Sequence, residues 1–193
     1  MVAERAKVKG TGFGSSVSFI KTSLSQRWPE LEASLSAGAR AAGDQALASS
    51  WIDLSLLAEY YTGFARLTCG DDRHALAATF NRLGRFIAQD NLSTVYRFVL
   101  KVLSPGQFLS LLPTLWNTYF QGLEIKVDEE RGRKRGLCSV GGLERLPYIS
   151  LAAVGWMEYG FEITGAAEHD ISERSWIEGR SSAPTLVFDI RWE

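Results

Sequence analysis

The 193-residue sequence predicts an α+β domain: a helical N-terminal half packed on a four-stranded antiparallel sheet, with a C-terminal half of order β-β-α-β-β. Three observations carry this. Apolar residues recur at intervals of three and four up to about residue 122; from Leu123 onward they alternate with polar residues; and a strong helix-start signal, Ser104-Pro105-Gly106-Gln107, opens the last helix before the change.

Before residue 50 the periodicity is weak, and helix is expected from Ser15 to Ser25 and around Glu30 to Ala41. A helix from Trp51 to Thr68 follows, with Ile52, Leu56, Leu57, Tyr60, Tyr61, Phe64 and Leu67 on one face and Ser50 as its expected cap. The next begins at Asp71-Asp72, whose charges suit the positive end of a helix dipole, and runs to about Asp90 with Leu76, Phe80, Leu83 and Ile87 on its apolar face. A further helix covers Ser93 to Val102. Ser104 as cap, Pro105 in the first turn and Gln107 at the third position then predict a helix ending at Gly122, with Pro113 expected to kink it.

Beyond that point Leu123, Ile125 and Val127 alternate with Glu124, Lys126 and Asp128, as in a half-buried strand. Glu130 to Arg135 reads as a charged hairpin tip and Gly136 to Val140 as the returning strand. Leu146 to Ile163 reads as a helix, and residues 167–178 and 185–192 as a second strand pair. In the last strand Leu186, Phe188, Ile190 and Trp192 alternate with Val187, Asp189 and Arg191.

Composition bounds the function. A net charge of -1 gives no general attraction to nucleic acid or to anionic membranes, and the 46% hydrophobic content excludes a disordered chain. Two cysteines and two histidines supply neither a disulfide framework nor a four-ligand zinc spacing. The apolar runs are far shorter than the roughly 20 residues of a membrane span, and Met1 to Lys9 is too polar for a secretory signal. The expectation is a cytoplasmic protein forming one domain over residues 1–193, its helical half at about 13–122 and its β-β-α-β-β half at about 123–193.

Several short motifs have plain structural readings. Gly10-Thr11-Gly12-Phe13-Gly14-Ser15-Ser16 fits neither the dinucleotide nor the triphosphate loop spacing, and is expected to be a flexible turn into a helix capped by Ser15 or Ser16. Ser18-x-x-Lys21 lacks the companion elements of a serine acyl-transfer site. Cys69 and His74 lack an orienting partner, and His169 stands alone in a strand. Arg131, Arg133, Lys134 and Arg135 follow Glu124, Asp128, Glu129 and Glu130, so this tip is nearly balanced. What remains is the aromatic content, 22 residues in stripes on successive helices. Such stripes make a core, and converging Tyr and Trp residues also suit an apolar cavity.

Ser49-Ser50-Trp51-Ile52, Leu92-Ser93-Thr94-Val95-Tyr96-Arg97, Ser104-Pro105, Leu115-Trp116-Asn117-Thr118-Tyr119-Phe120 and Val187-Phe188-Asp189-Ile190-Arg191-Trp192 together resemble a bacterial branch of the haem-NO-binding-like superfamily. This superfamily also holds the 4-vinyl-reductase-type small-molecule-binding domains and core subunits of the TRAPP trafficking complex. The resemblance spans roughly residues 7–193. It implies an apolar cavity between helices and sheet that holds haem, an aromatic effector or an acyl chain, and it implies dimerisation. Two departures argue against a metal centre. Glu173-Arg174-Ser175-Trp176-Ile177-Glu178-Gly179 has no cysteine where the reductase-type domains carry them, and Tyr148-Ile149-Ser150-Leu151-Ala152 lacks the arginine of the haem-binding Tyr-x-Ser-x-Arg motif.

The sequence thus points to a non-enzymatic sensory domain holding a hydrophobic small molecule, with no cofactor and no metal, acting through a homodimer or a protein partner. The expected pocket residues are Tyr60, Phe64, Phe80, Tyr96, Trp116, Tyr119 and Trp156. The alternative is a ligand-free interaction module resembling the trafficking subunits, which would show a closed interior and an exposed apolar helix face. An enzyme would need a polar cluster with perturbed acidities, and no spacing supplies one.

Overall fold

The computed structural model describes residues 6–92, 94–130, 132–142, 146, 148–177 and 185–193, without the side chains of 94–97, 175 and 177. The Tyr96 side chain, Arg131, Pro147 and residues 178–184 therefore lie outside the described residues.

The glycine-rich start is ordered. β1 (Lys7–Lys9) leads directly into α1 (Gly10–Ser23). Ser15 and Ser16, expected as caps, are buried inside that helix. Crowding accounts for the difference at Gly10. A Cβ at Gly10 would overlap the Leu47 carbonyl, and the Gly10 N–H donates to the Ser50 carbonyl at 2.8 Å. Packing explains Gly10 alone: a Cβ at Gly12 would meet only Val8 at 3.6 Å, and one at Gly14 would meet nothing.

α2 (Trp28–Ser34) and α3 (Ala37–Gln45) follow, the latter capped by Ser36. Trp51 to Asp53, expected as a first helical turn, forms β2 (Trp51–Asp53), paired antiparallel to β1 with Val8 opposite Ile52. α4 (Leu54–Thr68) therefore begins three residues late, and its cap is Asp53, which accepts from the Ser55 N–H at 2.9 Å. α5 (Arg73–Asn91) is capped by Asp72, which accepts from the N–H groups of His74 and Ala75. α6 (Thr94–Val102) leads to α7 (Pro105–Tyr119), whose capping box is complete: the Gln107 N–H donates to Ser104 Oγ, and the Ser104 N–H donates to Gln107 Oε1 at 2.8 Å. Pro113 sits within α7, which continues to Tyr119. β3 (Phe120–Gln121) then joins β1, completing a small sheet of order β2-β1-β3 that alternation in the sequence did not reveal. Gly122, at φ +73°, turns the chain into the second half.

That half contains β4 (Glu124–Glu130), β5 (Arg135–Gly141), α8 (Ile149–Ile163), β6 (His169–Glu173), a single turn α9 (Arg174–Ile177) and β7 (Thr185–Trp192). The four strands form an antiparallel sheet of order β4-β5-β7-β6, as expected. Alternation turns Cys138, Val140, Leu186, Phe188, Ile190 and Trp192 inward, where they are buried. On the opposite face Asp189 receives two hydrogen bonds from Arg135, at 3.1 and 2.7 Å, and one from Arg174 at 3.3 Å.

α8 lies against α5 with almost no space between their backbones. A Cβ at Gly84 would overlap the Ala152 carbonyl, and one at Gly155 would overlap the Asn81 carbonyl. Arg85 of α5 closes the exposed side of this contact, reaching Glu158 at 3.5 Å and Glu162 at 2.5 Å on α8. Among the described residues no helix is long and apolar enough to cross a membrane.

Candidate functional site: an apolar cavity between helices and sheet

Where α1, α4, α5, α7 and α8 meet the inner face of the large sheet, the side chains leave a cavity of about 70 Å³. α7 supplies Leu112, Leu115, Trp116 and Tyr119; α8 supplies Ala152, Ala153, Trp156 and Met157; and Cys138 and Phe188 close the cavity from the sheet. The helical periods of α7 and α8 put these residues on one side of each helix, and strand alternation puts Cys138 and Phe188 on one face. Among the described residues no Asp, Glu, Lys, Arg or His lines the cavity.

The polar atoms of the wall are few and neutral. Ser16 Oγ donates to the Gly12 carbonyl at 2.8 Å and lies 3.1 Å from Tyr61 Oη. A carbonyl cannot donate, so the serine proton goes to Gly12 and the phenol proton to Ser16. Burial pushes the Tyr61 phenol up to about 12 and the Cys138 thiol likewise to about 12, so both are uncharged at neutral pH. The Tyr119 hydroxyl donates to the Asn91 carbonyl at 3.2 Å. Trp116 stacks on Phe120 with ring centroids 4.5 Å apart, and its Nε1–H is buried without a hydrogen-bond partner among the described residues.

The seven residues expected at a pocket fall into three groups. Trp116, Tyr119 and Trp156 line the cavity. Tyr60, Phe64 and Phe80 are buried behind it in solid core, where Phe13 meets Tyr60 edge-on at 5.7 Å and Phe80 meets Phe64 edge-on at 5.8 Å. The Tyr96 side chain is outside the described residues. Sequence reasoning passed over Tyr61 and Phe120, although both stand in the aromatic stripes. Tyr61 follows Tyr60 by one residue, a rotation of about 100° around the helix, and that step separates cavity wall from solid core. Ser16 and Gly12 carry no signal in a segment whose glycines read as a turn.

Comparison with known proteins places the fold. No family model matches the chain, and no curated protein matches it. Solved structures do. The Fe(II) unliganded H-NOX protein from K. algicida superposes with a TM-score of 0.66 at 11% identity over 96% of both chains. The H-NOX protein from S. oneidensis in its Fe(II)NO ligation state gives 0.66 at 13% identity, over 96% of this chain and 99% of that one. An oxygen-binding H-NOX domain related to soluble guanylate cyclases, in its oxygen complex, gives 0.61 at 10% identity over 96% and 95%. The architecture is the H-NOX fold, so the fold expected from the sequence resemblance is the one observed.

That fold raises the question of haem, and the residues answer it. An axial ligand is a histidine, a thiolate, a methionine paired with histidine, or a tyrosine. His74 is exposed at the start of α5, and His169 lies in β6, stacked on Phe161 at 6.4 Å; neither lines the cavity. Of the other donors on the described wall, the Tyr61 and Tyr119 hydroxyls are engaged with Ser16 and the Asn91 carbonyl, and Cys138 and Met157 come without a histidine beside them. Pockets for drug-sized ligands occupy about 300–1,000 Å³, so about 70 Å³ is also too small. Haem does not fit this cavity. Among the described residues no group of three or more His, Cys, Asp or Glu side chains could hold a metal ion.

Proposed function

We propose that this chain is a non-enzymatic sensory domain that holds a small hydrophobic molecule in the cavity between its helical half and its sheet. One observation carries the reading: an apolar cavity at the helix–sheet junction, walled by Trp116, Tyr119 and Trp156 and without charged side chains among the described residues. The structural neighbours include proteins described as bound to nitric oxide and to oxygen. What supports a ligand role here is the cavity itself, with a wall chemistry that dispenses with haem. A ligand acts on such a domain only by binding one conformation better than another. α8 supplies much of the wall and is also packed against α6, so occupancy of the cavity bears on a helix with an exposed outer face.

That outer face supports the second part of the proposal, action through a homodimer or a protein partner. Phe98 is 71% exposed and Val102, one turn on, 69%, with Val99 beside them. It also favours the alternative reading, a ligand-free interaction module, which shares the apolar face and differs in having no use for the cavity.

Xenon separates the two. Xenon enters dry apolar cavities, and the full chain equilibrated under xenon pressure is expected to show shifts in the methyl resonances of Met157, Ile87 and Leu112. Absence of those shifts overturns the sensory reading and leaves the interaction module. Native mass spectrometry of freshly purified protein tests the partner contact, with a dimer expected and a monomer at micromolar concentration counting against self-association.

A further inference from the structure

Four buried side-chain polar atoms lack a hydrogen-bond partner among the described residues: Thr11 Oγ1, Asn91 Nδ2, His169 Nδ1 and Trp116 Nε1. Only Trp116 belongs to the cavity wall. An indole N–H is a donor and nothing else, and buried tryptophans normally find it an acceptor, because leaving a polar group unpaired costs about 1–3 kcal/mol. The other polar atoms of the wall do not serve it. Ser16 donates to Gly12, Tyr61 pairs with Ser16, and the Tyr119 hydroxyl is turned to Asn91.

We infer that the cavity takes a small neutral molecule with an apolar body and one oxygen acceptor, a ketone, aldehyde or ether, whose oxygen receives the Trp116 Nε1–H. The inference rests on the cavity being a ligand site, as proposed above, and names the chemistry of the ligand. Neutrality follows from a wall without charged side chains among the described residues, where an ion would lose its hydration and gain no partner. Size follows from volume. A cavity of about 150 Å³ takes up benzene, so about 70 Å³ suits a molecule of roughly half that bulk, about three to four non-hydrogen atoms. The acceptor follows from Trp116 Nε1, the one fully buried nitrogen or oxygen of the described wall that lacks a partner.

Acetone and isobutene are matched probes: planar, four heavy atoms each, differing in that acetone alone carries an acceptor. The full chain, labelled with nitrogen-15, has six indole N–H resonances, and the one lost in Trp116→Phe is that of Trp116. Phenylalanine keeps a ring to stack on Phe120 and removes the donor. Both probes are expected to shift the wall methyls, while acetone alone moves the Trp116 indole proton downfield. Acetone should bind the wild type about fivefold more tightly than it binds Trp116→Phe, the worth of one neutral hydrogen bond, and isobutene should bind both alike. If both probes enter and the indole proton ignores acetone, the ligand class is wrong while the cavity remains a binding site. The ligand class is equally wrong if the indole is held by a water that acetone does not displace. If neither probe nor xenon reaches the wall methyls, the cavity is not a ligand site and both proposals fall. The comparison of the two probes on wild-type protein, with the indole assigned by triple-resonance spectra, stands even if the variant unfolds.

Discussion

Two aromatic clusters lie side by side in this molecule and end differently. Between α1, α4 and α5, Phe13, Tyr60, Phe64 and Phe80 meet edge to face and leave no space. Between α7 and α8, Trp116, Tyr119 and Trp156 surround a cavity, and Trp116 lies flat on Phe120. The residue types are the same, so composition does not decide which cluster is solid. What differs is what stands opposite. In the first, small residues let neighbours close in: the Leu31 side chain occupies the place of a Cβ at Gly63, and the Tyr60 hydroxyl that of a Cβ at Gly43. In the second, α8 is stopped by backbone contact with α5 at Gly84 and Gly155, so it cannot advance to fill the gap beside α7.

The sharpest way to break this comparison is truncation in the solid cluster. Phe80 is fully buried and touches Tyr61, Phe64 and the stacked Tyr148, whose ring lies 4.9 Å away. Phe80→Ala is expected to cost about 3–5 kcal/mol, the range for a buried ring in a site that cannot collapse. Urea denaturation measures it. A cost below about 1.5 kcal/mol would place this cluster with those that relax around small volume changes, and the contrast with the cavity region would be lost.

Alkaline pH probes the cavity side. Tyr61 and Cys138 both line it, and burial raises both groups to about 12. Their folded acidities exceed the unfolded ones, so the folded state holds protons that the unfolded chain releases. The stabilisation is complete below the ordinary cysteine and tyrosine values and is lost as pH rises through about 9 to 12, a loss of several kcal/mol in all. Cys138→Ala should flatten the earlier part of that decline in a series of unfolding curves. An unchanged decline would mean that water reaches the thiol.

How much of this was legible beforehand depends on whether the deciding force was local. The capping box at Ser104–Gln107 and the alternation of Leu186, Phe188, Ile190 and Trp192 act within a few residues, and both were readable as written. Trp51 to Asp53 shares helical spacing with the apolar face of α4, yet β1 recruits it into a strand from over forty residues away. The glycines at 10, 12 and 14 look like a flexible turn, and the Leu47 carbonyl that explains Gly10 is invisible until the chain is folded. For the site, the aromatic stripes of α7 and α8 led to three wall residues. Which side of α4 faces the cavity, Tyr60 or Tyr61, rests on how that helix is rotated against α1 and α5, a matter of tertiary packing.

A control for both regions lies on the outer face of the sheet. Asp189 is 8% exposed, and hydrogen bonds from Arg135 first, with Arg174, hold its carboxyl below the usual carboxylate range. A depressed folded value means that the unfolded chain binds the proton first on acidification. Its stabilisation is therefore present above the ordinary aspartate range and is lost as pH falls from that range through the lowered folded value. Asp189→Asn should cost about 1.5–3 kcal/mol, the worth of hydrogen bonds to a charged group, and should remove part of the acid-side loss. Xenon uptake should be unchanged, because Asp189 touches neither aromatic cluster. If uptake falls with stability, the cavity reports global loosening and its contrast with the solid core has no separate meaning.

The smallest effect is the most specific. Gly12 lies in the first turn of α1, on its buried face, and lines the cavity, and a Cβ there would meet only Val8 Cγ2, at an ordinary 3.6 Å. Gly12→Ala therefore adds a methyl without a clash, in contrast to Gly84, where the same methyl would strike the Ala152 carbonyl. Helix propensity alone predicts a gain of about 0.5–1 kcal/mol, readable as a rise in the urea midpoint with an unchanged slope. The same methyl takes up part of a cavity of about 70 Å³, so xenon and acetone binding should weaken as stability rises. Stability and binding moving in opposite directions is the signature of a cavity kept open at the expense of the fold. If the two move together, Gly12 serves packing alone and the cavity is an incidental gap beside it.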